Sequence, residues 1–378
     1  MSSRDARIDA LQRLPSAASR LRVSSLCSSV GGHDVPLLTI TDFAGASEAE
    51  LRERKVVVVT ARVHPGETNA SWMMHGVIDE LLADSAEARE LRSALVFQVV
   101  PCLNPDGVIL GNYRCSLSGD DLNRNWAEPS ARKHPTIAHV KALLRGLAEE
   151  ERLLFFCDFH GHSRKKSTFM CGVETPAGKG APPGSHAGRL HERVFPLLLS
   201  RFSASFSFAS CSFKVLRSKE TTGRVVVARS FGLVPSYTLF SGPDGPGADG
   251  TPEAHYTIPD LQKLGKEFVH VRRRAARVCC GVPVCVRHSK PVRNAALDMR
   301  PTRAPCAARL SAGAARLYAP VPHRVHGRAR RARGDAPPKG ERGRRGLGRG
   351  RRADGTRRGG RAAERARAPK VHAARSDE

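Results

Sequence analysis

His64 and Glu67 stand three residues apart in Arg62-Val63-His64-Pro65-Gly66-Glu67, an imidazole and a carboxylate in H-x-x-E spacing. On a turn, that spacing lets both side chains reach one metal ion. A zinc site built for catalysis takes three protein ligands and leaves a position open for water. The third donor must come from elsewhere, and His160 in Cys157-Asp158-Phe159-His160-Gly161-His162-Ser163 is the best candidate. His162, two residues on, is the alternative. Asp158 is a candidate partner for a ligand histidine, because ligating imidazoles commonly give their second nitrogen to a carboxylate.

A second group lies between these segments. Leu103-Asn104-Pro105-Asp106-Gly107-Val108 reads as a turn by composition. It leads to Tyr113-Arg114-Cys115 and then to Asp121-Leu122-Asn123-Arg124. Two arginines and an asparagine in a loop-rich stretch suit a carboxylate clamp, since guanidinium binds carboxylate as a fork. Taken alone the signal is weak, because Arg and Asn in loops are usually just solvated.

The elements that position these groups follow from hydrophobic patterning. Val56-Val57-Val58-Val59 reads as a strand buried on both faces, and it runs straight into the H-x-x-E turn. Residues 153–159 form a second apolar strand ending at His160. Thr68-Asn69-Ala70-Ser71 then starts a helix with capping residues in place. Polar residues between a strand and a helix are where open α/β sheets put their sites. The helix at 69–83 carries Trp72, Val77, Ile78, Leu81 and Leu82 on or near one face. Further strands are expected at 35–41, 95–101, 167–172, 212–216 and 236–239, and helices at 134–149, 187–201 and 258–274. Pro259 sits in the first turn of the last of these. A Gly/Pro loop spans 176–184, and residues 1–20 read as a polar helical stub without a partner. Strands alternating with helices give an α/β fold class, a mixed twisted β-sheet flanked by helices.

Charge divides the chain. Of a net +26 over 378 residues, +23 falls from Val271 onward, where 30 Lys+Arg face 7 Asp+Glu; residues 1–270 carry only +3. The same segment has no Phe or Trp after Phe268 and one Tyr, Tyr318, amid Arg/Gly/Ala runs. It cannot bury enough apolar surface to offset an ordering entropy of roughly 1–2 kcal/mol per residue. Residues 271–378 are therefore expected to be a disordered basic tail, a composition that a misread frame in a GC-rich gene also produces. A nucleic-acid-binding arm ranks last, because no aromatic residues are interleaved for base stacking. None of the ten cysteines forms a C-x-x-C pair, which argues against a Cys-based zinc site. No apolar leader opens the chain, and no run of about 18 apolar residues occurs in it. The expected setting is cytoplasmic, with no membrane partner.

His64-Pro65-Gly66-Glu67, Asn104-Pro105-Asp106-Gly107, Tyr113-Arg114-Cys115-Ser116-Leu117, Asp121-Leu122-Asn123-Arg124 and Phe159-His160-Gly161-His162-Ser163 together resemble the zinc metallocarboxypeptidases. The match is closest to the cytosolic carboxypeptidase subfamily, which removes glutamates from tubulin and similar acidic tails. The resemblance covers roughly residues 22–270. It implies a catalytic domain at 46–270, preceded at 1–45 by a stub of the subfamily's N-terminal β-sandwich. It also implies one Zn²⁺ held by His64, Glu67 and His160, with Arg114 stabilising the oxyanion. Asn123 and Arg124 would grip the free C-terminal carboxylate of a protein or peptide tail. Arg224 matches a position that puts a basic group in the side-chain pocket; its alternative is an exposed Arg capping a turn. Arg164-Lys165-Lys166 would add positive field near the site, or form a solvated surface run.

One departure stands out. The family has a glutamate directly after Tyr-Thr-Leu, acting as general base. Here the run is Ser236-Tyr237-Thr238-Leu239-Phe240-Ser241-Gly242, with Phe240 in that place. Loss of three residues, the glutamate among them, would produce this sequence, and so would a silent relative. Asp244, Asp249 and Glu253 follow in a Gly/Pro loop and would substitute for that base only if the loop folds inward. A general base typically contributes 10²–10⁴-fold.

Overall fold

Side chains leave the strand Lys55–Ala61 in alternation, and beyond the exposed Lys55 both sets are buried. Val57, Val59 and Ala61 enter one apolar cluster; Val56 and Val58 enter a second on the other side of the sheet. All four valines are fully excluded from solvent, each such burial being worth roughly 1.5–3 kcal/mol. This strand is one of the inner members of the sheet, as the continuous valine run requires.

The structure, a computed structural model, describes residues 3–14, 17–174, 191–233, 235–245 and 254–279. All of them belong to one compact unit. In chain order the elements are α1 (Ser3–Gln12), α2 (Ala17–Arg20), β1 (Leu21–Ser28), β2 (Asp34–Ile40), α3 (Glu48–Glu53), β3 (Lys55–Ala61), α4 (Thr68–Leu82), α5 (Ala86–Ala94) and β4 (Leu95–Val100). They continue with α6 (Pro105–Leu110), α7 (Pro135–Glu149), β5 (Leu153–Gly161), β6 (Thr168–Cys171), α8 (His191–Phe202), α9 (Gly223–Phe231), β7 (Ser236–Ser241), β8 (Asp244–Gly245), β9 (Ala254–His255) and α10 (Ile258–Cys279).

Seven strands form a mixed sheet in the order β1-β2-β4-β3-β5-β7-β6. The central pairs β4–β3, β3–β5 and β5–β7 are parallel, and the edges are antiparallel. Apolar faces of α4, α8 and α10 cover one side, and α7 and α9 cover the other. Among the described residues, no helix is long and apolar enough to cross a membrane.

Several expectations from sequence need correction. Residues 3–12 are not a stub without a partner, because Ile8 and Leu11 join the main core. The boundary expected at residue 45 falls inside the sheet, since β1 pairs with β2 and β2 with β4. Asn104–Val108 is not only a turn: Pro105 begins α6, and Asn104 caps it by accepting the Gly107 N–H through Oδ1 at 3.0 Å. No strand forms over 212–216, where an isolated bridge joins Cys171 to Ser212. The loop at 176–184 and most of the basic segment, from residue 280 on, lie outside the described residues.

Candidate metal centre

Parallel register sets the position of the site. Thr60 on β3, Asp158 on β5 and Thr238 on β7 lie side by side. Phe156 belongs to the second cluster, so Asp158 and His160, at spacings of two along β5, project from that same face. Thr60 Oγ1 donates to Asp158 Oδ1 at 2.7 Å, and Asp158 Oδ2 lies 2.7 Å from His160 Nε2. One carboxylate thus ties the strand to the imidazole and fixes which ring nitrogen faces outward.

The turn after β3 supplies the other two donors. Arg62 adopts a left-handed backbone at φ 58°, unusual for a side chain of its size. Its guanidinium holds the turn: Nε donates to Pro65 O at 2.8 Å and Nη1 to Ser71 Oγ at 2.6 Å. Glu67 is the N-cap of α4, yet its carboxylate makes no capping bond. It turns instead to the histidines, with Oε1 2.6 Å from His64 Nδ1 and Oε2 2.9 Å from His160 Nδ1. The Gly161 N–H donates to Oε2 at 2.9 Å. A Cβ on Gly161 would stand 3.2 Å from Glu67 Cβ, so a bare backbone suits this approach.

The two imidazoles are arranged alike. Nδ1 of each faces Glu67, and Nε2 of each meets another carboxylate: Asp121 Oδ1 at 3.1 Å from His64, and Asp158 at His160. Donor atoms of His64, Glu67 and His160 lie within 4.8 Å of one another. Two nitrogens and a carboxylate oxygen converging in this way, with both far nitrogens already engaged, form a donor set that fits zinc. His162 does not join it; its Nδ1 accepts the N–H groups of Arg164 and Lys165, at 3.1 and 2.9 Å. The Arg164-Lys165-Lys166 run is thereby held as an exposed turn.

Electrostatics follow the geometry. Burial pushes the Glu67 carboxyl up, but the two histidines outweigh it and hold the group well below the usual carboxylate range. Burial likewise lowers His160, yet Asp158 and Glu67 drive it up to about 10. Asp121 is raised by burial and lowered further by His64, Arg114 and Arg124, ending well below its ordinary value.

Asp121 links His64 to the arginines. Arg114 Nε donates to its Oδ2 at 2.8 Å, while Arg124 Nη1 lies 4.0 Å from the same oxygen. Asn123 is buried, its Oδ1 accepting the Gly223 N–H at 3.0 Å, so Nδ2 is its group on the His160 side, at 3.5 Å. Arg224, at the start of α9, is buried rather than an exposed turn cap, with Nε donating to Gly172 O at 3.4 Å.

Phe240 packs where the parallel register sets it opposite His160. Its ring is 5.4 Å from that of His160, 5.6 Å from His162 and stacked on Phe169 at 5.2 Å. The carboxylates touching the histidine pair are Glu67, Asp121 and Asp158, all engaged with imidazole. Asp244 pairs with His255 on the β8–β9 hairpin; Asp249 and Glu253 lie outside the described residues. Sequence reasoning missed the roles of Asp121 and Arg62. Asp121 was discoverable as the residue opening Asp-Leu-Asn-Arg, whereas a left-handed arginine leaves no trace in composition.

A zinc carboxypeptidase family profile matches residues 8–164. The cytosolic carboxypeptidase 2 of Xenopus tropicalis is 44% identical over 255 residues, covering 67% of this chain and 25% of that protein. The cytosolic carboxypeptidase 1 of Danio rerio is 45% identical over 257 residues, covering 65% and 22%. The chain thus spans about a quarter of the length of the curated relatives it matches. A metallo-carboxypeptidase from Burkholderia cenocepacia superposes with a TM-score of 0.60 at 23% identity, over 73% of this chain and 68% of that one, and shares the fold. Residues 8–164, which carry His64, Glu67 and His160, are thus a segment similar to the zinc carboxypeptidase domain.

Proposed function

We propose that this chain is a zinc metallocarboxypeptidase that hydrolyses C-terminal amino acids, glutamate above all, from acidic or polyglutamylated protein tails such as those of tubulin, in the cytoplasm. The observation that carries this reading is the convergence of His64 Nδ1, His160 Nδ1 and the Glu67 carboxylate at the end of the parallel strands. His64, Glu67 and His160 would hold the ion. Bound there, zinc supplies Lewis-acid polarisation of a scissile carbonyl and activation of water.

The chain's own residues do the rest. Asp121 and Asp158 hold the imidazoles in the tautomer that presents Nδ1. Arg114, oriented by Asp121, stabilises the oxyanion, a contribution of about 3–4 kcal/mol in comparable sites. Arg124 with Asn123 binds the free carboxylate, which restricts cleavage to the chain end. Arg224, a buried cation at the start of α9, favours an acidic side chain over a basic one.

A second reading, favoured by Phe240, keeps the binding and loses the cutting: a relative that holds zinc and acidic C-termini without efficient hydrolysis. Glutamate release from a polyglutamylated peptide, with and without chelator, separates the two. Chelator-sensitive release supports the enzyme; carboxylate-dependent binding without release supports the silent relative. Neither release nor zinc-dependent binding would overturn both.

A further inference from the structure

The described residues expose eleven large apolar side chains, and five of them fall between residues 108 and 117. Val108, Ile109, Leu110, Tyr113 and Leu117 are 38%, 57%, 57%, 67% and 44% exposed. Single exposed apolar residues are ordinary, but a local concentration is not. The buried half of α6, Pro105 to Gly107, already anchors that helix, so its outward half has no structural need for a valine, an isoleucine and a leucine in succession.

This apolar stretch is held rigidly against the metal turn. Tyr113 O accepts the Gly66 N–H at 2.7 Å, one residue before Glu67. The Tyr113 ring lies so close that a Cβ on Gly66 would meet its Cδ2 at 2.5 Å. Asn104 Nδ2 donates to Val63 O at 3.2 Å, and Asn112 Nδ2 to Cys115 O at 3.0 Å. Asp106 accepts from Ser29 Oγ at 2.5 Å and from the Gly31 N–H at 3.0 Å, pinning the base of α6 to the β1–β2 hairpin. Along the same backbone the next residue, Arg114, sends Nε inward to Asp121, the partner of His64. One short segment therefore presents an arginine to the centre and an exposed aromatic ring beside it.

We infer that Tyr113, together with the exposed Ile109 and Leu110 that precede it in the chain, forms an apolar ledge for a substrate side chain upstream of the scissile bond. The occupant is an aliphatic or aromatic residue of the same peptide whose carboxylate reaches the arginines, because Tyr113 lies against the turn that carries Glu67. A rigid, pre-exposed surface loses little conformational freedom on binding. Specificity would then be composite, an acidic end combined with an apolar residue before it. This inference rests on the carboxypeptidase reading.

The test uses fluorescent hexapeptides ending in Glu-Glu, with Leu or Ser placed in turn at each upstream position, bound to the full zinc-loaded chain and read by anisotropy. At one position Leu is expected to bind about 10-fold tighter than Ser, and Tyr113→Ser or Ile109→Ser/Leu110→Ser is expected to level the pair. Melting curves establish that the variants fold. Leu and Ser peptides binding alike throughout, while a C-terminal amide still abolishes binding, would overturn the ledge and leave the carboxypeptidase reading intact. Indifference to amidation and to chelator would overturn both. A dimer of the wild-type chain that dissolves in the Ile109→Ser/Leu110→Ser variant would assign the patch to self-association and overturn the ledge.

Discussion

Phe240 on β7 stands directly across the parallel ladder from His160 on β5, their rings 5.4 Å apart. An apolar side chain thus borders the candidate metal centre at the position where the family resemblance places a carboxylate. Phe169 stacks on it and Lys165 lies 4.7 Å above the Phe169 ring, so the wall is packed rather than open.

Replacing that ring with a carboxylate gives the first prediction. Phe240→Glu is expected to raise zinc-dependent release of C-terminal glutamate by about 10²–10⁴-fold, the usual share of a general base. The same change should lower the melting temperature, because it removes the stacked pair with Phe169 and buries a charge. Turnover unchanged in a folded, zinc-loaded variant would show that the missing carboxylate is not what limits the chain.

Asp121 and Asp158 provide the second prediction. Each accepts from the far nitrogen of one histidine. Asp121→Asn and Asp158→Asn keep the shape and remove the charge. Chelator competition should show zinc affinity reduced about 10–100-fold in each. Unaltered affinity in both would mean the imidazoles are oriented by packing alone.

The third prediction concerns pH. In the metal-free chain, burial lowers the affinity of His160 for its proton, but Asp158 and Glu67 prevail and carry it to about 10. A raised folded-state value means this imidazolium stabilises the metal-free fold fully below its ordinary value of 6.5, and the gain is lost as pH climbs through about 10. Zinc must displace that proton. Calorimetry in buffers of different ionisation enthalpy should therefore show proton release on zinc uptake and affinity rising with pH. Affinity that is flat from about pH 7 to 9 would contradict this coupling.

Much of this arrangement was legible in sequence because it depends on short, strongly patterned segments. The valine run of β3 and the apolar run of β5 specify inner strands, and a spacing of two carries Asp158 and His160 to one face. The role of α1 was hidden because two large apolar side chains, Ile8 and Leu11, suffice to dock a helix whose remaining residues are polar or alanine. Asn104–Val108 misled because the same Asn-Pro-Asp-Gly residues that form turns also cap and start a helix. The helix start at Thr68 was placed correctly, but Glu67 gives up the capping role for which its position suits it, and only the folded site explains that choice.

One ion shared by His64, Glu67 and His160 underlies the proposed chemistry. Metal analysis after dialysis against zinc is the direct measurement. One zinc per chain is expected in the wild type, and none above background in folded His64→Ala or His160→Ala. A full equivalent of zinc retained by folded His160→Ala would contradict the account.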